Sequence, residues 1–245
     1  MSQDGPDGWG APLHARVLDV AGVGSGTTLL DLGCGPGLFA RAAADRGALV
    51  TGIDVDPTVV AAAARAVPEA GFRVGDAHEP PPGPFDVVAG VQLLQHVADP
   101  VAVLRGACAA GGAVVVTVWG REEECDIGVF GEVLARWLPP RRTPPGPPPI
   151  TDPDRLRTLA GMAGLEVQRV DEVVCPFTYA DADELVGPLF DTGMGRAAMN
   201  RAGPAVVREA VLERLVGRRR QDGSYVLENL FRVLLARPTS GSFGA

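Results

Sequence analysis

Several things are scarce in this chain, and each shortage excludes a class of protein. It has four cysteines, with no CxxC pair, and three histidines in 245 residues. That argues against a zinc site and against a disulfide framework, so Cys34, Cys108, Cys125 and Cys175 are expected to be reduced and mostly buried. No apolar run approaches the roughly 20 residues that cross a bilayer. The opening MSQDGPDGWGAPLH has neither the basic start nor the apolar stretch of a signal peptide. A cytoplasmic protein with no membrane partner is expected. Positive charge is short too: 22 basic against 30 acidic residues leave a net charge of −8. That is the wrong sign for neutralising many phosphates, which excludes nucleic acid as the expected partner. The one basic run, RLVGRRRQ around Arg218–Arg220, follows a helical pattern, where cations suit the C-terminal end of the dipole.

What is present is a rhythm. TLLDLG, ALVTGIDV, GFRVGDA, FDVVAG and GGAVVVTVW are short apolar strands separated by helix-length segments such as LFARAAADRG and PTVVAAAARAV, the second opened by Pro57. Strands of this kind alternating with helices predict a parallel sheet covered on both faces. After Trp119 the pattern changes. Residues 121–138 have helical spacing in Val129, Val133, Leu134 and Trp137, and PPRRTPPGPPPITDP forms a proline-rich connection. A helix near 153–163 and a strand near 165–174 resume the rhythm, 181–219 read as mainly helical, and YVLENLFRVLLARP is a long last strand, antiparallel because a tight turn at QDGS precedes it. The fold class is therefore α/β: a Rossmann-like, doubly wound seven-stranded sheet, mostly parallel, with helical insertions after strands 5 and 6. The division is an N-terminal helix and cap over 1–26, a cofactor-binding core over 27–120, and insertions 121–150 and 180–222 placed to roof the ligand crevice of one domain.

The chemistry starts at DLGCGPG. Gly33, Gly35 and Gly37 form GxGxG, and Leu38 stands where a dinucleotide fingerprint has its last glycine. No lysine follows, which excludes a P-loop. Asp31, close to the end of the first strand, would repel a pyrophosphate but attract an ammonium or sulfonium cation. Asp54, about 20 residues on, is placed to accept from a ribose diol. Asp76, ending the third strand, can accept from an adenine amino group.

In order, LLDLGCGPG, GIDVD, VGDA, FDVVAGVQLLQHVADP and GGAVVVTVWG resemble the successive motifs of class I S-adenosylmethionine-dependent methyltransferases. The likeness runs motif by motif over residues 12–120, and the stretch from VWG onward is similar to a bacterial small-molecule subgroup. It implies S-adenosylmethionine as cofactor, no metal, and a small-molecule acceptor bound by a monomer or homodimer. By the same resemblance Asp31 lies near the methionine amino group and the three glycines let the backbone pass under methionine and ribose. Asp54 holds the ribose hydroxyls, Asp76 the adenine amine, and Val91 offers backbone contacts near the sulfonium. Cys34, Val55, Ala77 and His96 complete the cofactor-binding set. The alanine, glycine, proline and arginine bias resembles chains of high-GC bacteria, where such enzymes decorate natural products.

Other residues carry more than one reading. His96 is either a general base for a protonated acceptor or a side chain that packs on the cofactor or ties its loop to Asp99. His78 either touches the cofactor or faces solvent, and His14 is either a lid or a structural residue. Trp9, Trp119, Phe130 and Trp137 are candidates for an acceptor pocket, with plain helix packing as the alternative for Phe130 and Trp137. Tyr179 is a candidate proton acceptor or acceptor-positioning hydroxyl. REEE at 121–124 reads as a solvated, dipole-matched face, and Cys34 as small filler beneath the glycine loop. Three rivals remain: a nicotinamide-dependent oxidoreductase, a methyltransferase fold used for cyclisation or binding alone, and a macromolecule methylase, which the acidic charge disfavours.

Overall fold

The computed structural model describes residues 6–140 and 147–239. Residues 141–146, which carry part of the proline-rich connection, lie outside the described residues, as do 1–5 and 240–245. The strands are β1 (Thr28–Leu32), β2 (Leu49–Asp54), β3 (Gly71–Val74), β4 (Val87–Gly90), β5 (Ala113–Trp119), β6 (Leu165–Tyr179) and β7 (Tyr225–Pro238). They form one seven-stranded sheet in the order β3-β2-β1-β4-β5-β7-β6. β1 to β5 pair in parallel, and β7 runs antiparallel to β5 with Val114 opposite Ala236 and Trp119 opposite Phe231. The Rossmann-like class read from the sequence is the class observed.

β4 is buried throughout and β5 up to Val118, as parallel strands covered on both faces must be. Three helices of this layer start at the same dipeptide. Asp56, Asp99 and Asp152 each accept a backbone N–H in the first turn of α3 (Pro57–Ala66), α4 (Pro100–Ala110) and α6 (Pro153–Met162), with proline next in each. The carboxylate fills an orphan donor while proline occupies the place where no N–H is needed. α4 and α6 pack together, and Leu104, Ala107, Leu156 and Leu159 share one apolar cluster with Val88, Val114 and Val116.

β6 is five residues longer than the 165–174 expected and carries Pro176 inside it. The sheet order explains this: β6 is an edge strand, where a residue without an N–H is tolerated. The helix expected over 121–138 is also shorter. α5 covers only Gly128–Leu134, between single 3-10 turns at Glu122–Glu124 and Ala135–Trp137. Ahead of it, Cys125 bridges to Asn229 and the Ile127 N–H donates to Asn229 Oδ1, so β7 claims the backbone that a longer helix would need.

Backbone contacts sort the chain into two units, and β6 and β7 run from one into the other. The sheet unit holds residues 12–119, 147–173 and 231–239. There α1 (Ala11–Val20) presents His14 edge-on to Phe39 of α2 (Leu38–Asp45), with ring centroids 5.6 Å apart. The helical unit holds residues 6–11, 120–140 and 174–230. It packs α5, α7 (Ala182–Phe190), α8 (Gly193–Ala202) and α9 (Pro204–Arg214) through Phe130, Val133, Leu185, Ala198, Val207 and Val211. Among the described residues no helix is long and apolar enough to cross a membrane.

Candidate functional site

In a doubly wound sheet the ligand crevice opens beyond the carboxyl ends of the strands where the order reverses. Here that point lies between β1 and β4, which have β2 on one side and β5 on the other. Three turns leave the sheet there: the glycine loop after β1, the turn at Asp54 after β2, and Val91–His96 after β4.

The glycines of the loop serve three purposes. Gly33, at φ +69°, is where a Cβ would come within 2.8 Å of Leu93 Cδ1. Gly37, at φ +91°, faces Ala63 Cα at 3.1 Å, so it lets α2 approach α3. Gly35, at φ +52°, would direct a Cβ into open space while its N–H donates to Asp54 Oδ2 at 3.0 Å. Positive φ favours glycine at all three positions, and close packing adds a second reason at Gly33 and Gly37 but not at Gly35.

Asp31 is 1% exposed, and its Oδ2 is buried with no hydrogen-bond partner among the described residues. Burial first, and then the neighbouring Asp54 charge, push its carboxyl up to about 7. Asp54 is the contrasting acid: Oδ1 accepts from the Asp56 N–H and Oδ2 from Gly35, leaving one lone pair on each oxygen. Cys34 is buried, and a Cβ at Gly52 would lie 3.0 Å from its Cβ; burial, Asp31 and Asp54 raise its thiol to about 12. A buried thiol held protonated is compatible with small filler beneath the loop.

Asp76 is exposed, and its Oδ1 accepts from the His78 N–H at 2.9 Å and contacts His78 Nδ1 at 2.7 Å. Those hydrogen bonds hold the carboxyl below its ordinary range. His78 is thus tied to Asp76, which neither of its two readings anticipated. Val55 is 66% exposed, whereas Ala77 is buried in the apolar cluster and can offer only backbone. Val91 is half-buried. His96 ends a 3-10 turn and is exposed; among the described residues no tie to Asp99 is seen, and Asp99 Oδ1 instead accepts from the Ala102 N–H at the start of α4. His14 is lowered to about 4 by burial, so its ring stays neutral at pH 7.

Sequence reasoning missed Gln92, Gln95 and Thr117. Gln92 is the one non-glycine residue with positive φ among the described residues, at 55°. Its N–H and Nε2 both donate to Thr117 Oγ1, at 2.9 and 3.0 Å, and its Oε1 accepts from Gln95 Nε2 at 2.9 Å. The available signal was a polar residue in each of two apolar strings, VVVTVW and VQLLQ.

The aromatic candidates divide between the units. Trp119 packs on Phe231 in the sheet unit, with centroids 4.4 Å apart, while Trp9 packs on Phe177 in the helical unit at 5.1 Å. Phe130 belongs to the buried interior of α5, and Trp137 is half-buried in a 3-10 turn. Burial, followed by the Glu184 charge, raises the Tyr179 phenol to about 12. It is protonated at neutral pH, a donor rather than an acceptor of protons. In the REEE stretch Glu122 and Glu123 are exposed, as a solvated face is. Its glutamates line a cavity of about 830 Å³ within the helical unit, together with Asp126, Glu228, Arg214 and Arg218. Among the described residues no group of three His, Cys, Asp or Glu could hold a metal ion.

A family model described as "Methyltransferase domain" matches residues 30–111. The chain is 35% identical over 171 residues to the ubiquinone biosynthesis O-methyltransferase of Pseudomonas paraeruginosa, across 65% of this chain and 73% of that one. The enzyme of the same name from Bordetella pertussis is 35% identical over 175 residues, across 63% and 71%. Among solved structures, a candidate methyltransferase from Bacillus halodurans matches with TM-score 0.58 and 13% identity over 92% of this chain and 99% of that one. The [4+2]-cyclase SpnF matches with TM-score 0.57 and 24% identity over 94% and 81%. These two show likeness of fold.

Proposed function

The chain belongs to the class I S-adenosylmethionine-dependent methyltransferases, and from that membership we propose that it methylates a small molecule, with oxygen as the receiving atom that the relatives' names favour. Decoration of a bacterial natural product fits the composition. The observation that carries the reading is Asp31: a buried carboxylate oxygen without a donor, beneath a glycine loop, fits an ammonium group and opposes a pyrophosphate. The same feature weighs against a nicotinamide dinucleotide.

When bound, S-adenosylmethionine supplies a methyl group on a sulfonium, whose departure as a thioether needs no acid. The residues of the chain bind and orient. Asp31 would take the α-ammonium, the free lone pairs of Asp54 the ribose diol, and Asp76 Oδ2, which has no protein partner among the described residues, the adenine amine. Gly35 would leave room for the ligand. Alignment of acceptor and methyl is the main catalytic term, up to roughly 7–11 kcal/mol when ideal. The exposed imidazole of His96, on the turn after β4, is the group proposed to take a proton from a hydroxyl acceptor, worth typically about 10²–10⁴ in rate.

The test is incubation with methyl-labelled S-adenosylmethionine and a bacterial metabolite extract. Label is expected in a small-molecule product. Conversion of an extract component with no label transferred would favour the cyclase-like use of the fold, and failure to bind S-adenosylhomocysteine would sink the reading altogether.

A further inference from the structure

The turn after β4 is held in an unfavourable backbone conformation by a residue on another strand. Residues in sparsely populated regions such as the left-handed one cost of order 1–3 kcal/mol each, and the surrounding structure must over-determine them. Glycine would take φ 55° freely, yet this position is Gln92. Its side chain explains the choice. Parallel pairing sets Gly90 of β4 opposite Val116 of β5, and Thr117, the next residue, is fully buried. Thr117 Oγ1 accepts from both the backbone N–H and the Nε2 of Gln92, a grip on one residue at two points. Gln95 Nε2 then holds the remaining end of the Gln92 amide.

What this grip seats is Leu93. A Cβ built on Gly33 would lie 2.8 Å from Leu93 Cδ1, and one on Gly90 would lie 3.5 Å from Leu93 Cδ2. Leu93 is therefore a key lodged between two glycines, one in the loop after β1 and one at the end of β4. We infer that Thr117 is a positioning residue for the methyl-donor site: by holding Gln92 in the left-handed region it seats Leu93 against Gly33 and sets the glycine loop for its ligand. The contact runs from β5 to the loop that follows Asp31, through residues that need not touch the ligand. The inference rests on the methyl-donor reading above.

The probe is S-adenosylhomocysteine, titrated by calorimetry, with amide hydrogen exchange of residues 91–96 as a readout that needs no ligand. Thr117→Val keeps the shape and removes the acceptor, and is expected to weaken binding about tenfold and speed exchange at Gln92. Thr117→Ser restores the hydroxyl and is expected to bind within about threefold of the parent. In a Gln92→Gly background, where φ 55° needs no hold, adding Thr117→Val is expected to cost less than about twofold.

Folded Thr117→Val with unchanged affinity and exchange would overturn the inference, as would a tenfold loss that persists in the Gln92→Gly background. If Thr117→Val does not fold, Gln92→Leu, which removes the Nε2 point of the grip and the Gln95 contact while leaving β5 and the backbone N–H bond intact, must weaken binding and speed exchange at residue 92 in the same direction. Absence of binding by the unsubstituted protein, with exchange at Gln92 protected, would overturn the methyl-donor reading rather than the grip.

Discussion

Asp31 and Asp54 show how two like residues on adjacent strands acquire opposite tasks. Asp54 accepts two backbone N–H donors, while Asp31 Oδ2 is buried with no partner among the described residues. With a folded value near 7, above the ordinary carboxylate range, Asp31 binds its proton more tightly in the native state than in the unfolded chain. Its contribution to stability is thus fully present at low pH and is lost as pH rises from about 4 through about 7. Asp31→Asn should raise the thermal midpoint of the ligand-free protein at pH 8 by at least about 2–4 °C, the size of one kcal/mol in a chain of this length, and should do little near pH 4, where the unfolded chain also holds the proton. Scans at the two pH values decide it. An ammonium ligand requires the ionised carboxyl, so affinity for S-adenosylhomocysteine should climb about tenfold per pH unit between pH 5 and 6.5 and level off above about 7. Proton release measured by calorimetry in buffers of different ionisation enthalpy checks the same linkage. The glycines separate in a similar way. Gly37→Ala meets Ala63 at φ +91° and should destabilise the fold by roughly 1–3 kcal/mol, seen in urea unfolding. Gly35→Ala meets no neighbouring atom but puts a side chain at φ +52°, so it should cost about 1 kcal/mol in urea unfolding from backbone strain and weaken ligand affinity as well.

At the scale of elements, local chemistry accounts for where helices begin. The dipeptide Asp-Pro opens α3, α4 and α6, and a carboxylate cap there is worth about 1 kcal/mol. Asp152 accepts from both Asp154 and Arg155, so Asp152→Ala should lower the thermal midpoint by about 2–4 °C, while Asp152→Ser should recover most of it. The two misread elements have a common cause. α5 is short because Asn229, more than 90 residues away, takes the Ile127 N–H, and β6 is long because the edge of the sheet tolerates Pro176. Helical spacing in Val129, Val133 and Trp137 was real, but it could not report a competing strand.

For the whole molecule, the net charge of −8 has the wrong sign for neutralising many phosphates, which weighs against nucleic-acid binding before any fold is known. A ligand that binds only the native state stabilises it by about 2.7 kcal/mol at 100 times its Kd. S-adenosylhomocysteine at that excess should therefore raise the thermal midpoint by several degrees, and NAD should leave it unchanged. An equal shift with NAD, in a thermal scan of the unsubstituted protein, would return the dinucleotide reading.

The sequence alone determined the strand and helix alternation, the glycine loop, and the acids Asp31, Asp54 and Asp76 near the strand ends. Periodicity, capping and turn chemistry act over a few residues and are written in neighbouring letters. Tertiary structure alone decided which acid loses its water, which histidine is tied, and that Thr117 grips Gln92 from 25 residues away. The Gln92 grip depends on β4 lying beside β5 in a set register, and Asp31 depends on what covers the end of β1. Strand order, register and burial are collective properties of the packed sheet, so no short stretch of the chain contains them.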